Sequence, residues 1–285
     1  MNVTQTVVIV AGIGSGGYDA AAQDYFTRAE ALGGSFNQSA INAAYTPAYV
    51  KAAINAFVAG CKTDSIWTKL TEVYLMAGVN FGGLMAKLKY SSVATLTNVN
   101  FVSGDYVGAG SGGGMKGATG KYLNTGFNCT SLGSVNAAGF SYYTTASGTS
   151  GSRLSGAIDG SGNSFCGDSP YNLTQITGSI GNTSYRTVST AWTGSGFVTA
   201  TRISSTNNLL FLNGSQVNQN TGSNAATLPN LNFYLMGTNI NGSLGFVNDD
   251  RKSCYILHSG LTATDAANLS LRVNTLMTAL GANVY

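Results

Sequence analysis

Residues 196–217 read GFVTATRISSTNNLLFLNGSQV, two runs rich in Phe, Val, Thr, Ile and Leu joined by polar residues. Asn213-Gly214 separates LLFL from SQV. An Asn-Gly pair between apolar runs is the signature of a tight β-hairpin turn. β-Branched and aromatic residues at a period of two fit a pleated, half-buried surface. Working outward, similar runs recur in AGFSYYTT (138–145), YRTVSTAW (185–192), NFYLMGTN (232–239) and SCYILHSG (253–260). They stand roughly 10–15 residues apart with turn residues between them, Asn241-Gly242 among these, a spacing that suits an antiparallel sandwich or barrel.

Upstream, the period changes to that of a helix. Asp19 can cap AAAQDYFTRAEALGG, with Ala22, Phe26, Ala29 and Leu32 on one face and Gly33-Gly34 as the stop. After Pro47, AYVKAAINAFVAGCK aligns Val50, Ile54, Phe57 and Val58. Asp64 or Ser65 can cap a third helix, SIWTKLTEVYLMAG, with Ile66, Trp67, Leu70, Tyr74 and Leu75 inward and Gly78 at its end. The chain closes with GLTATDAANLSLRVNTLMTALG, where Thr262 caps, Asp265 stands three residues on, and Leu269, Val273, Leu276 and Leu280 form the buried stripe. The pattern predicts a mainly β protein: an antiparallel sandwich or barrel, preceded by a short α-helical module and closed by a C-terminal helix. It divides into a strand-like segment 1–17, a helical module 18–90, and a sandwich with its final helix, 91–285.

Composition restricts chemistry. Of 285 residues only 9% are charged, against about 25% for an ordinary soluble protein. His258 is the single histidine, and Glu30 and Glu72 are the only glutamates. Hydrolytic and metal-dependent mechanisms commonly draw on a histidine or a pair of carboxylates. A glycosidase pair of glutamates cannot be built in the sandwich, and the adjacent Asp249-Asp250 would point to opposite faces of a strand. The expectation is a protein that is not an enzyme and takes no cofactor or metal, although Asp105, Asp159, Asp168, Asp249 and Asp250 offer oxygen ligands of the kind calcium uses. The net charge of +3 with scattered Lys and Arg argues against a nucleic-acid partner. GAGSGGGMKGATGKY (108–122) has the glycines and lysine of a phosphate loop without its spacing, and reads as a turn entering a strand at 121–123.

Cys61, Cys129, Cys166 and Cys254 form no CxxC motif and read as buried thiols, with Cys129 and Cys166 able to pair in a secreted chain. The apolar run from Val7 to Ile13 is too short to span a bilayer, so neither a membrane partner nor a signal peptide is expected.

Three blocks carry a resemblance: AINAFVAGCKTDSIWTKLTEVYLMAG (53–78), NFVSGDYVGAGSGGGMKGATGKYLNTGFN (100–128), and the closing stretch 228–284 from LPNLNFYLMGTNING through GLTATDAANLSLRVNTLMTALGANV. In these the chain resembles a family of bacteriophage virion proteins found among tail, fibre and other particle-surface components, which join a short helical module to a concanavalin A-like, laminin G-like jelly roll. The resemblance implies a structural protein of the virion, exposed on tail, fibre or head, assembled in the host cytoplasm, with other virion proteins and copies of itself as partners. A trimer is the symmetry expected by analogy with phage fibres.

The alternative is a carbohydrate- or receptor-binding module for a host-surface glycan. Aromatics stack on pyranose faces, and Trp192, Tyr142, Tyr143 and Tyr185 are the candidate platform. For assembly, Val7, Val8, Ile9 and Val10 form a β-prone segment too short to be stable alone. It must either join a neighbour's sheet edge, with GSGG as the joint, or serve as the first strand of its own sandwich.

Overall fold

The computed structural model describes residues 17–149, 154–171, 175–182, 188–191, 194–222 and 227–285. Three helices, α1 (Ala20–Ala31), α2 (Pro47–Thr63) and α3 (Ala263–Ala279), accompany two β-sheets. The strands are β1 (Leu70–Leu75), β2 (Thr97–Val99), β3 (Tyr106–Val107), β4 (Gly114–Lys116), β5 (Tyr122–Asn128) and β6 (Ala138–Ala146). They continue with β7 (Leu154–Ile158), β8 (Ser164–Tyr171), β9 (Gln175–Asn182), β10 (Val188–Ala191), β11 (Gly196–Ser204) and β12 (Asn207–Leu212). The last are β13 (Ser215–Asn220), β14 (Asn232–Leu235), β15 (Gly237–Ile240), β16 (Ser243–Val247) and β17 (Arg251–His258).

One sheet runs β13-β12-β11-β6-β17-β4-β3, with β1 added beside β17; the other runs β10-β9-β8-β7-β14-β5-β2, with the β15–β16 hairpin added at β7. Pairing is antiparallel except for β15 against β7. The mainly β sandwich with flanking helices is therefore as the sequence pattern predicts. The opening hairpin is present, with Asn213 and Gly214 at φ of 52° and 81°, the positive values a tight turn of this hand requires.

Alternation along β6 shows how the layers form. Phe140 packs edge-on to Phe165 of the opposite sheet, with ring centroids 5.4 Å apart. The next residue, Ser141, turns instead toward Thr199 and His258, and Tyr143 toward Tyr285 of the C-terminal segment. On β12, Leu210 belongs to the central core, whereas Leu209 and Phe211 cluster with Ala266 of α3. Both faces of this sheet are covered, which explains why NLLFL is apolar without alternation. Arg202 of β11 donates from Nη1 to the Ile180 carbonyl of β9 at 3.1 Å, tying the two sheets together.

One expectation fails. Residues 65–78 do not form a helix: Ser65 adopts φ of 60°, residues 67–69 make one 3₁₀ turn, and 70–75 become β1, antiparallel to β17. The segment LTEVYL carries two β-branched residues, Thr71 and Val73, and the aromatic Tyr74, types that pack well on a sheet, and the edge of β17 supplies the pairing partner that a local reading cannot see. The helices and both sheets share one continuous core, which runs from Phe26 and Ile54 through Leu75 and Ile256 to Phe165.

The helical segment is also held by charge. Arg272 of α3 makes a bidentate pair with Asp64 at the end of α2 (2.7 and 2.9 Å), and Lys69 reaches Asp265 at 2.6 Å. Deeper, Glu72 of β1 and Lys87 meet at 2.9 Å with neither side chain exposed. Every remaining valence is used: Glu72 accepts from the Ser91 and Ser92 amides and hydroxyls, and Lys87 donates to Ser92 Oγ and the Thr125 carbonyl. Breaking a buried pair by removing one partner costs about 3–5 kcal/mol. Lys87→Met is accordingly expected to lower stability by about that amount in urea titration, and Glu72→Gln/Lys87→Met together by less than Lys87→Met alone.

Candidate functional site

Two of the four aromatics proposed as a glycan platform, Tyr142 and Tyr143, are not available to one. Tyr142 and Tyr143 are both in β6 and buried, at 2% and 0% exposure. Tyr142 lies under the Lys252 ammonium, 4.3 Å from its ring centroid. The Tyr143 hydroxyl donates to Asn283 Oδ1 (3.2 Å) and accepts the Val284 amide (3.0 Å). Trp192 and Tyr185 lie outside the described residues, as do Val7, Val8, Ile9 and Val10. The structural reason for the correction is that this sheet is covered on both faces, so neither face of β6 is a surface.

Four of the five aspartates offered as oxygen ligands are likewise committed; the Asp168 side chain lies outside what the structure describes. Asp105 holds Lys121 at 2.6 Å, Asp159 accepts the Ser161 and Asn163 amides of its own turn, and Asp249 accepts the Thr149 amide. Asp250 pairs with Lys252 at 2.8 Å, both buried. Among the described residues no three His, Cys, Asp or Glu side chains group to hold a metal. The four thiols are free and buried, and burial raises those of Cys61, Cys129 and Cys254 out of the reactive range.

His258, the single histidine, also has a neighbouring hydroxyl. Its Nδ1 lies 2.7 Å from the Ser259 carbonyl and its Nε2 3.2 Å from Ser141 Oγ. Nδ1–H therefore donates to the carbonyl, and Nε2 accepts from Ser141. Ser141 Oγ is 2.8 Å from Thr199 Oγ1, and all three side chains are sealed beneath the helices. Burial lowers the imidazole pKa to about 4. The group is thus a neutral structural pin, and a Cβ at Gly139 would collide with its ring.

The open site lies elsewhere, on the hairpin that decides the fold. The tip Asn213-Gly214-Ser215 lies against α3, and between them is a cleft of about 330 Å³, lined also by Ala267, Ser270, Leu271, Asn274 and Tyr285. The four α3 residues fall at i, i+3, i+4 and i+7, one helical face. Gly214 fits tightly, since a Cβ there would come within 3.0 Å of Ser270 Cβ. Tyr285 is fixed by its ring against Tyr143 (5.8 Å) and its hydroxyl 3.1 Å from Ser270 Oγ, and burial raises its phenol pKa. Asn213 Oδ1 accepts the Phe197 amide at 2.8 Å, and Asn274 Oδ1 is shut away without a hydrogen-bond partner. A second cavity of similar volume, at Thr130, Gly133–Val135 and Thr227-Leu228, adjoins residues outside those described. Sequence reading identified both the hairpin and the helix but followed only the inward stripe. The signal it passed over was Leu271, an apolar residue off that stripe that is 56% exposed.

No family model matches the chain, and no curated protein matches it. Solved structures do share its fold. A Trypanosoma rangeli sialidase in complex with 2,3-difluorosialic acid, a covalent intermediate, is 12% identical with a TM-score of 0.50, over 81% of this chain and 40% of that one. A mutant of the same sialidase displaying trans-sialidase activity is 13% identical with a TM-score of 0.51, over 78% and 39%. The binding domain of botulinum neurotoxin serotype D matches at 11% identity and a TM-score of 0.47, over 71% and 51%. The chain spans about 40% of the sialidases' length, and at such identities the likeness is one of fold. It nonetheless corrects the expectation that the chain is not an enzyme, because the fold it carries is one that enzymes carry. Scarcity of histidine and glutamate does not decide the question.

The His258 geometry makes stability depend on pH. Its folded pKa of about 4 lies below the ordinary 6.5, so the unfolded chain binds the proton more readily. The contribution of this group is complete above pH 6.5, is eroded as pH falls, and stops changing below pH 4. The full loss is about 3 kcal/mol by linkage. Denaturation midpoints measured from pH 7.5 to 4 are expected to fall in wild type and to flatten in His258→Gln.

Proposed function

We propose that the chain is a surface component of a bacteriophage particle, on tail, fibre or head, that acts by assembling with other virion proteins and with copies of itself. The observation that carries this reading is the way the three resembling blocks come together. Block 53–78 contributes α2 and β1, block 100–128 contributes β3, β4 and β5, and block 228–284 contributes β14 to β17 and α3. β1 and β4 both pair with β17, β5 pairs with β14, and Arg272 of α3 closes over Gly60 and Asp64 of α2. Segments far apart in sequence thus form one contiguous unit, the junction of helices and sandwich. A resemblance confined to those blocks is a resemblance of that unit.

The surface supports the same reading. Few charges cover it, and Leu32, Ile41, Tyr90, Val93, Val102 and Phe246 stand exposed on it. Uncharged surface with exposed apolar and aromatic side chains suits burial against partners. The segment carrying Val7, Val8, Ile9 and Val10 is assigned the attachment role. Location in the virion, assembly in the host cytoplasm and a threefold homo-oligomer belong to this proposal.

Mass spectrometry and immunogold labelling of purified particles test it. The chain is expected in the particles at a fixed stoichiometry and on their surface; abundance in the lysate with absence from particles would overturn the proposal. Deletion of residues 1–16 is expected to leave a folded domain with unchanged thermal midpoint that no longer enters particles. Normal incorporation of the truncated protein would remove the attachment role.

A further inference from the structure

The cleft between the β12–β13 hairpin and α3 has a chemistry that assembly does not account for. We infer that it is a binding site for a neutral saccharide unit, formed by Asn213, Ser215, Ser270, Leu271, Asn274 and Tyr285. Its volume of about 330 Å³ is at the small end of ligand pockets, which span about 300–1,000 Å³. That suits a short saccharide end in place of a long chain.

The lining is specific in kind. Among the described residues, no Lys, Arg, His, Asp or Glu borders the cleft. What borders it is a set of neutral hydrogen-bonding groups beside one aromatic ring and the exposed aliphatic side chains of Ala267 and Leu271. Sugar hydroxyls need groups that both donate and accept, and carboxamides and hydroxyls supply this. The C–H face of a pyranose needs an apolar plane, and the partly exposed Tyr285 ring beside Leu271 supplies one.

Two features show that the site is built in advance. Asn213 is held by its Oδ1, which accepts the Phe197 amide and leaves Nδ2 as the group free to donate. Tyr285 is held by Tyr143 and Ser270. One feature is unfinished. Asn274 Oδ1 is buried with no partner, which is costly unless something completes it. Asn274 borders the cleft, so a side-chain rotation that carries the whole carboxamide toward the opening would let a ligand hydroxyl donate to Oδ1 without burying Nδ2 in its place. The absence of a cation among the lining residues separates this site from one for an acidic sugar, whose carboxylate would be desolvated without a counter-charge.

The site is independent of the particle role and is tested on the full-length purified chain. An array of neutral hexose- and N-acetylhexosamine-terminated oligosaccharides, with their sialylated counterparts, identifies a binder, and titration calorimetry with that oligosaccharide measures it. Wild type is expected to bind a neutral glycan and to bind its sialylated form more weakly. Ala267→Arg places a long side chain at the exposed mouth of the cleft, and Asn274→Ala removes the unpaired carboxamide without loss of helix propensity. Each is expected to weaken binding by about tenfold or more without lowering the thermal midpoint. Failure to retain any neutral glycan, preference for the sialylated form, or binding that survives both substitutions would each overturn the inference.

Discussion

Strand β17 is hydrogen-bonded on both edges and covered on both faces, and the rest of the molecule is arranged around that constraint. β6 pairs with one edge, and β1 and β4 share the other. Tyr255 reaches across to Ser155 of the second sheet at 2.8 Å, while His258 lies beneath the helical layer. A strand enclosed in this way can carry polar side chains only if each is completed internally, because an unpaired buried polar group is costly. Lys252 finds Asp250 and Thr144, His258 finds Ser141 and the Ser259 carbonyl, and Tyr255 finds Ser155.

The helices follow from the same requirement. An eight-stranded sheet with apolar residues on its outer face, Leu209 and Phe211 among them, needs a cover, and Ala266 of α3 supplies part of it. α2 then packs beside α3, and α1 beside α2. The ion pairs between these elements are partly exposed and contribute little individually; their geometry sets the register of α2 against α3. The buried Glu72–Lys87 pair ties β1 to the loop that follows it, and its completeness makes an intolerant junction of what began as a helix-to-strand connection.

This cover also decides where binding chemistry can be displayed. In an open sandwich Tyr143 of β6 would face outward, while Tyr142 would still face the other sheet. Here the outward side is beneath the helices, and the open cleft lies at the edge, where the hairpin tip meets α3 and Tyr285. The fold shared with sialidases leaves function open, since one scaffold hosts several roles.

The sequence by itself determined the local elements whose signals are complete within a few residues. Asn213-Gly214 and Asn241-Gly242 specify turns through their tolerance of positive φ, Thr262 with Asp265 specifies the start of α3 through reciprocal capping, and Asp19 starts α1. Tertiary structure alone decided the questions whose answers depend on distant partners. LTEVYL is a strand because β17 lies beside it, Tyr142 and Tyr143 are core because a second sheet and a helical layer close over them, and His258 is neutral because the packed layers bury it. The cleft residues were illegible for the same reason: Asn213 and Asn274 are 61 positions apart, and no periodicity links a hairpin tip to an outward helix face. Local propensity is read from neighbours in the chain, whereas burial and proximity are properties of the packed whole.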